Sequence, residues 1–108
     1  MFAGIACARN ELRILVLEKQ KYPIDKACGE GIMPSGVNNL RKLGVASFLE
    51  KYPNHLFKGI QYVSAKGSVA EAYYVEGCGW GVQQTKLSVA LLECVENFQI
   101  LKYKKGFL

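Results

Sequence analysis

The sequence predicts an α/β domain, and three stretches carry that prediction. Small residues, Gly4-Ile5-Ala6-Cys7-Ala8-Arg9, read as a helix end able to lie close against a sheet. They are followed within a few residues by Leu12-Arg13-Ile14-Leu15-Val16-Leu17-Glu18, an apolar, partly β-branched run of strand length. Far along the chain, Leu87, Leu91, Leu92 and Val95 recur at helical spacing and precede a further strand-like run. A helix end, a tight turn and a buried parallel strand ending in an acidic residue make half of a βαβ unit. At 108 residues the chain has room for one small domain.

The elements follow in order. Asn10 and Glu11 end the first helix, as polar turn residues do. The strand predicted through Arg13–Leu17 closes on Glu18, and from Lys19 to Pro34 the chain is a polar, glycine-bearing loop. Ser35 is placed to cap a short helix through Val37, Leu40 and Leu43, which Gly44 ends. A second short helix runs from Ala46 to Tyr52 and stops at Pro53. Lys58–Ser64 and Ser68–Tyr74 read as two strands joined at Lys66-Gly67, a hairpin inserted into the unit. After Gly77-Cys78-Gly79-Trp80-Gly81, Thr85 opens a helix to Glu96, and Phe98–Tyr103 is the last strand.

Composition removes several function classes. Half the residues are hydrophobic and 21% are charged, as in ordinary globular domains. No apolar run approaches the ~20 residues of a membrane span, and the N-terminus lacks the pattern of a secretory signal, so a cytoplasmic address is expected. The net charge is +5, but the lysines are scattered, with one cluster at Lys102, Lys104 and Lys105. No stripe interleaves aromatics with arginine, which points to a solvated surface and away from nucleic acid. Cys7, Cys28, Cys78 and Cys94 form no Cys-x-x-Cys pair and the one histidine, His55, is far from all four in sequence, so no metal site is expected. The cysteines read as reduced thiols, mostly buried small hydrophobes, with Cys28 set apart among glycines and charges.

Two places draw attention as candidate sites. Glu18 ends a strand that follows a close-packed helix, the position at which a carboxylate accepts from two neighbouring ribose hydroxyls in dinucleotide-binding folds. It is equally the position of a solvated strand end. The loop Tyr22-Pro23-Ile24-Asp25-Lys26-Ala27-Cys28-Gly29-Glu30-Gly31-Ile32-Met33-Pro34 is the second, and here the chain resembles a family of flavoproteins that includes geranylgeranyl reductases and related FAD-dependent monooxygenases and halogenases. The resemblance rests on Leu17, Glu18, Lys19, Pro23, Asp25, Lys26, Cys28, Gly29, Glu30, Gly31 and Pro34, and it continues through Gly59–Val63 and Gly79-Trp80-Gly81-Val82-Gln83-Gln84-Thr85.

The resemblance implies a partial Rossmann-like FAD/NAD(P)-binding domain over residues 1–108, with a hairpin insertion. It implies that Glu18 binds the adenosine ribose, that Lys19 lies beside the adenine end, and that Lys26 to Gly31 passes near the flavin with Cys28 and Gly29 in backbone contact. Glycine suits such contact because it has no side chain to hold a ligand off; a surface turn needing positive φ at Gly29 and Gly31 would use the same residues. Gln84 stands where contact with the cofactor is expected. The chain departs from the family at Ile24, and at Gln83 and Gln84, where arginine is usual. Glutamine supplies no charge and no bidentate fork.

In the family a first strand and a Gly-x-Gly-x-x-Gly loop precede the helix that Gly4–Arg9 ends. The chain is therefore expected to be an internal piece of an FAD-dependent oxidoreductase, with NAD(P)H as candidate reductant and an unassigned small-molecule substrate. It is expected to bind FAD weakly or not at all alone. No general acid, base or nucleophile is assigned. The alternative is a non-enzymatic remnant of the fold acting as a small interaction protein.

Overall fold

The computed structural model describes residues 1–25, 30–98 and 101–105. Helix α1 (Phe2–Arg9) turns Gly4, Ile5 and Ala8 inward, so its small residues bring the helix axis close to strand β1 (Ile14–Glu18). The chain reverses between them through Asn10, whose side-chain amide donates to the Ala6 carbonyl at 2.8 Å, and through Glu11 at a φ of 60°. Strand β1 pairs in parallel with β7 (Leu101–Lys105), in register from Ile14 with Leu101 to Glu18 with Lys105. The closing strand thus lies later than Phe98–Tyr103; the Phe98 N–H is taken by the Val95 carbonyl, in a turn that follows the helix.

One expectation for β1 is corrected. The strand is not buried on both faces: Ile14 and Val16 pack against the core, whereas Leu15 and Leu17 are 59% and 48% exposed. Helices cover one face of the β1–β7 pair, and among the described residues no layer covers the other.

Helix α2 (Pro34–Lys42) is capped differently from the sequence expectation. Met33 is the N-cap, Pro34 occupies the first turn, and the Ser35 side chain makes no capping bond. Proline there leaves no N–H to satisfy and presets φ. At the other end Gly44 adopts a φ of 76°, its N–H reaches the Arg41 carbonyl at 3.1 Å, and the Val45 N–H reaches Leu40 at 2.9 Å. This pair of bonds needs a left-handed residue, which glycine supplies without strain. Helix α3 is shorter than expected, Ala46–Leu49.

A three-stranded antiparallel sheet follows, in the order β2 (Gly31–Ile32), β6 (Gly79–Val82), β3 (Asn54–Phe57). Trp80 and Val82 belong to the buried core; Gly79 is buried as well, under the Phe57 ring, and Gly81 is half-buried. A Cβ on Gly79 would run into the Phe57 ring, so the close cross-strand fit requires glycine there. The expected hairpin forms from β4 (Gly59–Val63) and β5 (Val69–Tyr73), with Gly67 at a φ of 87° in its turn. It projects from the body, and the radius of gyration of 16.5 Å exceeds the roughly 13 Å of a compact chain this long.

Helix α4 (Gln84–Glu96) spans the body and begins one residue before Thr85. Its buried stripe is Ser88, Ala90, Leu91, Cys94 and Val95; Leu92, expected on that face, is only half-buried. The core that holds the molecule together lies between these helices and β6, with Ile5, Val37, Leu40, Val45 and Leu49 fully buried.

Candidate functional site

Strand β1 delivers Glu18 to the end of the parallel pair, half-buried, with its Oε1 accepting the Gln20 N–H at 3.0 Å. The second carboxylate oxygen has no hydrogen-bond partner among the described residues. Lys19 is exposed beside it. Gln84 is half-buried in the first turn of α4, and no hydrogen bond or ion pair joins it to Glu18 or Lys19 among the described residues. Lys26, Cys28 and Gly29 lie outside the described residues.

The α4 end of this region has two features that the sequence reading did not assign. The Glu30 carboxylate accepts the backbone N–H of Gln84 at 3.3 Å, and the Glu30 carbonyl accepts the Val82 N–H at 2.9 Å. One turn further along, the Ser88 hydroxyl donates to the Ile24 carbonyl at 3.0 Å. Ser88 is 4% exposed, the one buried polar side chain among the described residues. A serine on the otherwise apolar stripe of a helix was the signal available in the sequence, since a buried hydroxyl needs a partner. The carboxylate at the start of α4 suits the positive end of the helix dipole.

Beside Glu30 lies a hollow of about 420 Å³, lined by Gly31, Pro53, His55, Gly81 and Gln83 among others. A larger and mostly apolar groove of about 570 Å³ runs between α1 and α2, but it includes none of the predicted site residues. The polar hollow likewise includes none of them, although Gln83 and Glu30 on its wall adjoin Gln84 in sequence and by hydrogen bond.

Other titratable groups serve structure. Lys51 donates to Glu93 Oε2 at 2.6 Å and the Tyr52 hydroxyl donates to Oε1 at 3.0 Å, fixing the end of α3 to α4. The Lys51 bond holds the Glu93 carboxyl below its ordinary range, and the bonds to Glu93 raise both Lys51 and Tyr52. The ammonium groups of Lys51 and Lys86 each sit 5.3 Å from the Tyr52 ring centre. Burial pushes the Cys94 thiol up, partly offset by Arg9, which opposes thiolate chemistry there. Cys7 and Cys78 are half-buried, so the expectation that the thiols are mostly buried holds for Cys94 alone among the described cysteines. Among the described residues no group of three His, Cys, Asp or Glu side chains is placed to hold a metal ion, and no helix is long and apolar enough to cross a membrane.

This arrangement has the fold of flavin-dependent monooxygenases and dehydrogenases of known structure. A flavoprotein/dehydrogenase from Cytophaga hutchinsonii superposes with a TM-score of 0.80 over 97% of this chain, at 19% identity, and the chain covers 27% of that protein. In sequence the chain is 40% identical over 53 residues to menaquinone reductase from Mycolicibacterium smegmatis, which is 49% of this chain and 13% of that protein. It is 30% identical over 70 residues to squalene epoxidase from Schizosaccharomyces pombe, 65% of this chain and 15% of that protein. No family model matches the chain.

Proposed function

We propose that the chain is a segment of an FAD-dependent oxidoreductase, within its dinucleotide-binding domain, and that its cofactor face runs from Glu18 to the start of α4. The observation that carries this reading is the placement of Glu18: a half-buried carboxylate at the end of β1, after a close-packed helix and a tight turn, in a fold shared with solved flavoproteins. The donor set fits a dinucleotide in part. Glu18 meets ribose hydroxyls, Lys19 brings positive charge beside it, and Gln84 offers an amide. Lys26, Cys28 and Gly29 complete the proposed set through the loop between β1 and β2.

The fit is weaker for the phosphates. Lys19 is an exposed point charge, Gln83 and Gln84 bring no cation, and the Gln84 N–H already serves the Glu30 carboxylate. We therefore expect affinity for FAD weaker than micromolar from these residues alone. Bound flavin would supply the hydride or electron chemistry, as cofactors do; the chain's own part is to hold and orient it. NAD(P)H as reductant and a cytoplasmic address belong to the same proposal.

The test is a site-resolved NMR titration of the ¹⁵N-labelled chain with FAD up to millimolar concentration. Shifts concentrated at Glu18, Lys19 and Gln84 are expected. Shifts absent, or centred on the apolar groove between α1 and α2, would overturn the reading.

A further inference from the structure

We propose that Glu30 and Ser88 are positioning residues that pin both ends of the β1–β2 loop to one face of α4, and so set the cofactor face. The inference rests on the cofactor reading for its function, but its geometry stands independently. Ser88 Oγ holds the Ile24 carbonyl at 3.0 Å, and the Gln84 N–H holds the Glu30 carboxylate at 3.3 Å. Gln84 and Ser88 are four residues apart on a helix, which puts them on the same face, separated by about 6 Å along the axis. Ile24 and Glu30 are thereby drawn to neighbouring points on a rigid element.

Two further bonds make Glu30 a fixed point. Its carbonyl takes the Val82 N–H at 2.9 Å, and the next residue, Gly31, pairs with Gly81 in the sheet. Glu30 is thus held by the strand that enters α4 and by the first N–H of α4 itself. Ser88 differs in kind. Its hydroxyl is nearly removed from water, and Ile24 gives it its only hydrogen-bond partner among the described residues. A hydroxyl so placed is expensive to leave unpaired, which makes the contact specific.

The arrangement also assigns the use of the α4 N-terminus. A helix start attracts anions, and here the chain's own carboxylate takes that place. A phosphate of the cofactor would compete with Glu30 for the same N–H. The structure assigns this helix end to holding the loop.

The experiment combines hydrogen exchange with FAD titration on the full chain. Ser88→Ala and Glu30→Ala are compared with the conservative Ser88→Thr and Glu30→Gln, and with Lys51→Ala as a remote control. Exchange at residues 21–25, 30 and 31 should rise about tenfold in the alanine variants while the amides of Leu91–Glu96 stay protected. Ser88→Thr and Glu30→Gln, which keep an oxygen at each anchor, should restore most of the protection. The shifts induced by FAD should show affinity reduced about three- to tenfold in the alanine variants only. Unchanged exchange at residues 21–25, 30 and 31 would overturn the anchoring, as would a rise spread evenly over α4. If the unmodified chain shows no FAD shifts at all, the cofactor reading fails, and the exchange data still decide the anchoring.

Discussion

The helical body and the β4–β5 hairpin are built from comparable proportions of apolar residues yet meet water in opposite ways. In the body Leu40, Val45 and Leu49 are sealed among α1, α2, α3, α4 and β6, whereas Tyr62, Val63, Val69 and Tyr73 on the hairpin are 55–72% exposed. The Gln61 amide bonds the Glu71 carboxylate across the two strands, and the Tyr73 hydroxyl also donates to Glu71, so the hairpin is held by its own pairs. Apolar content alone does not say where a core lies; the difference comes from whether the periodicity of one element meets a second element at the right distance. The outer face of β1 follows the hairpin in this respect, with Leu15 and Leu17 left in contact with water.

The largest effect that would test this contrast is in the core. Leu40→Ala should destabilise the chain by about 2–5 kcal/mol, the range for emptying a sealed leucine site, as read by urea denaturation. A loss below about 1 kcal/mol would mean that the body is not packed as described. Next in size is Asn54→Ala. Its side-chain oxygen accepts the Trp80 indole N–H at 2.8 Å, and Trp80 is 4% exposed. Leaving that N–H unpaired should cost about 1–3 kcal/mol, whereas Asn54→Asp, which keeps an acceptor, should cost less.

The ion pair at the edge of the body gives a smaller effect with a defined sign. The folded-state pKa of Glu93 is depressed, so its contribution is present above the ordinary carboxylate range and is lost as pH falls through the lower folded value. For Lys51 and Tyr52 the folded values are raised from 10.5 and 10.0, so their contributions are present below those values and are lost as pH rises beyond them. Stability should therefore form a plateau between the two ranges. Glu93→Gln should flatten both flanks in thermal melts taken across pH, and unchanged flanks would show that the pair contributes nothing. The smallest effect belongs to the hairpin: Tyr62→Ser should change stability by no more than about 0.5 kcal/mol.

The same contrast explains what was legible in the sequence. The α1–β1 unit, α2, the hairpin and α4 were readable because each has a period or a turn residue of its own. The short strands β2, β3 and β6 were not. Glycines at 31, 79 and 81 erase the alternation that marks a strand in β2 and β6, and at Gly79 the Phe57 ring leaves no room for a Cβ, a tertiary fact. At the candidate site Glu18 was readable from its place at the strand end. Glu30 appeared in the motif without a role and Ser88 not at all, because their partners lie 54 and 64 residues away.

The central claim is that the β1 end and the start of α4 form the cofactor face, and Glu18 tests it most directly. FAD affinity should be measured by NMR titration for the unmodified chain, Glu18→Ala and Lys51→Ala. The account predicts that Glu18→Ala weakens binding by about 1–3 kcal/mol, the scale of lost hydrogen bonds to a charged group, or roughly five- to 150-fold, while Lys51→Ala leaves it unchanged. Equal affinity for all three chains would contradict it.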